Sequence, residues 1–479
     1  MSAVASAPTR SRVRVKRVWE HMGTTKFFTA LFAWMFPLVL IFGTSISQRI
    51  PLQIHPIVFL SLAVITWAWT VRGPIALART PIDNFFMIWL LLIVASQLWA
   101  NVVLLRLLTD NDWIETTKQA LTSWIVYRAA HCLGTVEPKT AINHILRAIL
   151  FFAALACIVG LLQSRGPLQQ WALKFASSYG WNPEQVLIGA MIESPRPVGM
   201  FSGPNFFAFI NLIACAIIVG ITLGTGRRMK EIHAFAAVIA MGLFFAGTFV
   251  AQSRIALAML AILIAIFLYL ITKGGKGRVT IFAVVAMALT GLTLFALKGD
   301  LDFSYLTSVF ETGLDNDESF LLRRDAIRAI SDLAPELAPL GAGENRFSLL
   351  LMRTGDQFSK GNGPDNAFLQ AFLDHGIPGI LHVMYLIFGL WWGLKLLKTN
   401  GEPYLDRMKY VGWLTLFFFV LYSISASRHQ KVETGAFLWM IFGPLWAVVK
   451  IQESAAKADT TKPVVVKRRR LRLKQAKTT

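Results

Sequence analysis

The chain has 479 residues, 55% hydrophobic and 15% charged, with 47 Lys and Arg against 27 Asp and Glu for a formal net charge of +20. A soluble domain is excluded, because the apolar residues come in blocks close to the roughly 20 that a helix needs to cross a bilayer. A membrane barrel is excluded too, since its strands would be about 10 residues long with strict alternation, so the predicted fold class is an all-α polytopic helical bundle.

The first 26 residues hold Arg10, Arg12, Arg14, Lys16 and Arg17 and read as a basic cytoplasmic N-terminus. The apolar run 27–47 follows them as a signal peptide would, but it is too long and lacks a clear small-residue cleavage site, so it reads as a retained first span. Further spans are predicted at 53–71, 85–105, 117–134, 144–163, 205–224, 233–252, 255–272, 279–297, 377–397, 409–426 and 434–451, making twelve, before a basic cytoplasmic tail at 452–479. Short loops after even-numbered spans hold Arg72 and Arg79, then Arg227, Arg228 and Lys230, then Lys273, Lys276 and Arg278, then Lys395, Lys398, Arg407 and Lys409. All fall on the side of the two termini, which the positive-inside rule makes cytoplasmic. The net charge therefore reads as membrane orientation, with lipids as the partner rather than nucleic acid.

Within the span 117–134, Tyr127-Arg128 interrupts the apolar run; an arginine there either snorkels or faces the bundle interior. The stretch 233–272 carries one formal charge, Arg254, and as a single helix would be about twice the bilayer thickness. It must turn at Gln252-Ser253-Arg254, which puts Arg254 at the outer mouth of a helical hairpin. Cys132, Cys157 and Cys215 lie in or near apolar spans with neither metal nor disulfide spacing.

Two larger loops, 164–204 and 298–376, face the outer side. Loops this long are functional or disordered, and the second has Phe320, Ile327, Ile330 and Leu333, then Phe368 and Phe372, at helical spacing, which predicts an ordered, partly helical segment. Its punctuation, Leu337-Ala-Pro-Leu-Gly341-Ala-Gly343, predicts a turn, and Gly376-Ile-Pro-Gly379 leads into the next span.

The first outer loop ends with Arg196 between Pro195 and Pro197, a restricted backbone. Arg196 is either a stiffly mounted oxyanion clamp or an anchor in headgroup phosphates. Arg254 is predicted at the same surface, and guanidinium is the side chain suited to bidentate phosphate contacts. In Pro364-Asp365-Asn366, Asp365 is either a helix cap or the group that takes the proton of an attacking hydroxyl while the arginines stabilise a departing diphosphate. Asn366 would then position the acceptor. Arg323 and Arg324 adjoin Asp325, so an ion pair suffices to explain at least one of them; with Arg346 and His429 they are the further candidates for substrate binding. His375, like His429, falls at a predicted outer span end. No His/Asp/Glu cluster has metal spacing, and Gly274-Gly-Lys-Gly277 lacks the preceding strand of a phosphate-binding loop, so neither metal nor cofactor is expected.

In their order and placement, Pro195-Arg-Pro-Val-Gly-Met-Phe-Ser-Gly-Pro-Asn205, Ser253-Arg254, and Arg324 with Pro339-Leu-Gly-Ala-Gly-Glu-Asn-Arg-Phe347 and Asp365-Asn-Ala-Phe-Leu-Gln-Ala-Phe-Leu-Asp-His-Gly-Ile-Pro-Gly379 resemble the bacterial O-antigen ligase and polysaccharide polymerase superfamily over roughly 190–400. The resemblance implies an inverting, metal-independent glycosyltransferase of the GT-C type in the inner membrane. Such an enzyme takes a glycan from undecaprenyl diphosphate on the periplasmic side and hands it to a hydroxyl of a glycan or of lipid A-core, with a polysaccharide export complex as a candidate partner. Arg196 and Arg254 match the arginines thought to grip the diphosphate, and Asp365-Asn366 aligns with the family's His-Asn. Aspartate in that place departs from the ligase pattern and suits a polymerase at least as well. A different class remains beside it, a twelve-span anion or solute transporter with Arg196 and Arg254 as selectivity charges; the halves show no internal similarity, and the charges gather at one face.

Overall fold

The computed structural model describes residues 23–40, 54–105, 112–164, 197, 199–201, 204–225, 230–273, 318–343, 366–424 and 432–460. Among them are twelve α-helices and no strand: α1 Gly23–Leu40, α2 Ile57–Arg72, α3 Pro81–Trp99, α4 Asp112–Val136, α5 Pro138–Ser164, α6 Pro204–Thr225, α7 Glu231–Val250, α8 Arg254–Lys273, α9 Glu318–Leu337, α10 Ala367–Leu396, α11 Pro403–Ser423 and α12 Val432–Thr460. Eleven answer to predicted spans, and α9 is the helix expected in the second outer loop. The predicted span 279–297 lies outside the described residues. Among the described residues nine helices are long and apolar enough to cross a membrane, and the chain is an all-α polytopic membrane bundle.

Several helices begin where the sequence dictates. Proline is the first residue of α3, α5, α6 and α11, a position where its fixed φ is pre-set for the helix and its missing N–H is not needed. At α3, Asp83 reaches back to the Thr80 N–H at 2.8 Å and accepts from the Thr80 hydroxyl at 2.9 Å. The same carboxylate accepts from Trp124 Nε1 at 2.9 Å and from Arg128 at 3.2 Å, and Arg128 also donates to the Ala78 carbonyl at 3.0 Å. Arg128 therefore faces the interior, where an acidic partner and a carbonyl compensate its burial.

The largest helix interfaces are α4 with α12 and α6 with α11. α6 and α12 are the innermost helices, buried on nearly every side. α6 and α11 run antiparallel: Asn205 at the start of α6 meets Tyr422 near the end of α11, while Gly220, late in α6, lies against the early part of α11. A side chain at Gly220 would come within 2.6 Å of the Val411 backbone nitrogen, so only glycine permits this approach. α3 and α10 are antiparallel as well, with His382 bonded to the Phe85 carbonyl at 2.9 Å and Ser96 beside His375 at 3.0 Å.

α10 starts well before the predicted 377, and this is the main departure from the sequence reading. Asn366 caps it, its Oδ1 accepting from Phe368 N at 2.9 Å and Leu369 N at 3.1 Å. The helix then breaks at Gly376, whose φ of 67° is left-handed. Pro378 has no N–H to offer the Asp374 carbonyl, and the N–H of Ile377 turns away to Ala338 O at 2.9 Å. The turn 338–343 replaces what is lost: Ala342 N donates to Leu373 O at 2.6 Å and Gly343 N to Asp374 O at 3.1 Å. The carbonyls of Leu373 and Asp374 and the N–H of Ile377 are thereby paired at the break. Beneath it, Ile330, Leu333 and Leu337 of α9, spaced along one helical face, pack with Ala342 and Leu373, while Ile327, expected on that face, is 48% exposed.

Candidate functional site

At one end of the bundle two helix starts meet. The hairpin predicted at Gln252-Ser253-Arg254 is there: α7 closes at Ala251 and Gln252, whose N–H groups donate to Gly247 O at 3.1 Å and Phe249 O at 3.0 Å, and Ser253 O accepts from Leu257 N to open α8. Gln252 carries a φ of 52°, uncommon for a residue with a side chain. Ala251, Gln252 and Ser253 are buried, and Arg254, half-buried, is the first residue of α8. Across from this turn stands the start of α6. Tyr422 joins the two, its hydroxyl donating to Asn205 O at 2.9 Å and lying 3.4 Å from Ser253 Oγ.

The segment leading into α6 is fixed with equal care. Gln163, buried at the end of α5, donates its amide to Gly199 O at 2.7 Å and accepts from Gly199 N at 2.9 Å. Pro197, Gly199, Met200 and Phe201 are all buried. Arg196, one peptide bond before Pro197, lies outside the described residues. An N-terminal helix end presents the positive end of its dipole. Two such ends meet in a corner where Arg254 begins α8, a placement suited to an anion.

A second polar group lies at the start of α10, on the same end of the bundle. Asp374 and His375 are buried, at 1% exposure each. Gln370 Nε2 donates to both Asp374 oxygens at 2.9 Å, and His375 Nδ1 is 3.0 Å from Ser96 Oγ. Arg324, half-buried, is carried by α9.

The structure thus brings the Arg254 turn to the start of α6, and joins the 338–343 turn to the Gly376 break. Asp365, Arg346 and His429 lie outside the described residues, as does the side chain of Arg323. Asn366 sits at the α10 start, and the capping oxygen is its own. Sequence reasoning missed Gln163 and Tyr422, which lie at span ends with nothing in local periodicity to mark them. It also missed Asp83, the partner of Arg128.

Residues 239–384 match a family model described as O-antigen ligase. The matched segment contains Arg254, Arg323, Arg324, Arg346, Asp365 and Asn366, while Arg196 and His429 fall outside it. No curated protein matches the chain.

Proposed function

We propose, from the match of residues 239–384 to an O-antigen ligase family model, that the chain transfers a glycan from undecaprenyl diphosphate to an acceptor hydroxyl. The observation that carries this reading is Arg254 at the first position of α8, beside the first turn of α6. A lipid-linked donor releases a diphosphate, and two guanidinium groups are suited to the charge that develops on it. Arg196 is the second of them. One preorganised donor is worth about 3 kcal/mol in a transition state, so the pair accounts for a substantial part of the barrier without metal or cofactor.

In the proposed step the acceptor oxygen attacks the anomeric carbon from the side opposite the diphosphate. The bond to the diphosphate breaks, its electron pair leaves with the phosphate oxygen, and the configuration inverts. Asp365 takes the hydroxyl proton, and Asn366 holds the start of α10 in place beside it. Arg323, Arg324, Arg346 and His429 are the candidates for contacts with the glycan. The site faces the periplasm, the protein sits in the inner membrane, and both termini are cytoplasmic. The family match does not favour a transporter.

Asp365 in place of the family's histidine inclines the proposal to a polymerase acting on an exopolysaccharide or O-antigen rather than a ligase. The glycan ladder of a deletion strain tests it. A polymerase predicts loss of long chains with a single repeat unit remaining. Full-length chains accumulating on the carrier lipid would instead mark a ligase, and an unchanged ladder would contradict both.

A further inference from the structure

Tyr422 is 1% exposed, and its hydroxyl joins the two helix starts of the corner. A phenol has one proton; directed to Asn205 O at 2.9 Å, it leaves the Ser253 hydroxyl as donor in the 3.4 Å contact. Ser253 thus directs its hydroxyl proton to α11. The tyrosine ring is held against Phe209, with centroids 4.9 Å apart, so the position of the hydroxyl is set by packing rather than by the turn. The turn needs such support. Gln252, with φ at 52°, adopts a backbone conformation that costs of order 1–3 kcal/mol and persists only where its surroundings over-determine it.

We propose that Tyr422 is a positioning residue for transfer: through Ser253 it holds Arg254 in register with the segment that follows Arg196. This rests on the reading of the two arginines as the diphosphate grip. A small displacement of a group that stabilises developing charge acts on the transition state more than on the bound donor, so the effect belongs in kcat.

The test uses full-length protein in nanodiscs, with an undecaprenyl-diphosphate-linked glycan as donor and a glycan acceptor. Tyr422→Phe keeps the ring and removes the hydroxyl alone. It should lower kcat about tenfold, the upper worth of one hydrogen bond. The donor KM should stay within about threefold, and the melting temperature should stay near that of the wild type. Ser253→Ala should give a comparable loss, with the double variant no worse than the larger single one. Added to Arg254→Ala, Tyr422→Phe should cost nothing more. Wild-type kcat in both Tyr422→Phe and Ser253→Ala, or a loss that multiplies with that of Arg254→Ala, overturns the proposal. A lowered melting temperature with unchanged kcat per folded molecule also overturns it, since that is what a purely structural tie would give. Should Arg254→Ala itself turn over at the wild-type rate, the reading of the corner fails, and the role of Tyr422 fails with it.

Discussion

His55 precedes the first turn of α2, in the connection between α1 and α2, and its ring nitrogen Nδ1 accepts from Ile57 N at 3.1 Å. An acceptor nitrogen carries no proton, so the ring is held neutral. Burial pushes its pKa down from 6.5 to about 4, against a hydrogen bond to the Leu40 backbone that works the other way. The sign follows from linkage: between these values the unfolded state binds the proton and the folded state does not, so this contribution is complete above about pH 6.5 and is lost as pH falls toward 4. The melting temperature of detergent-solubilised protein should therefore drop more between pH 7 and pH 5 in the wild type than in His55→Asn, which keeps an acceptor and cannot charge. Equal drops would contradict this. At the same scale Arg128 was legible from the sequence as a charge that either snorkels or faces the interior. Asp83, its partner 45 positions away, was not, because pairing between two spans leaves no trace in the periodicity of either.

The joint between α9 and α10 shows how an element can look like a loop and be a helix. Gly376-Ile-Pro-Gly379 has the composition of a connection, and a helix that loses two backbone pairings there would ordinarily stop. The partners come from the 338–343 turn, which the sequence marks only as a Gly/Pro cluster, so its pairing with the break became visible in three dimensions alone. The left-handed φ of 67° at Gly376 is required, and a side chain there would sit 2.5 Å from Ala338 O and 2.6 Å from Leu337 O. Gly376→Ala should destabilise the protein by roughly 1–3 kcal/mol, read as a lower melting temperature and faster proteolysis within 338–343. An unchanged melting temperature and digestion pattern would show that the joint is not locked in this way.

Over the whole molecule, hydropathy sufficed for the bundle and for nine of the predicted spans among the described residues, because lipid demands apolar helices of bilayer length. The hairpin at Gln252-Ser253-Arg254 followed from the same constraint, since a forty-residue apolar stretch cannot cross once. Of the candidate site, the position of Arg254 at a helix start was legible in the sequence; its surroundings were not, because Tyr422, Ser253 and Asn205 come from three separate parts of the chain and meet only through packing. The central claim is that Arg254 and Arg196 together stabilise the departing diphosphate. Undecaprenyl diphosphate released per minute by the purified protein in nanodiscs, from a lipid-linked glycan donor with acceptor present, tests it most directly. Arg254→Ala and Arg196→Ala should each lose about a hundredfold or more while remaining folded in the membrane; release at the wild-type rate from both variants would contradict the account.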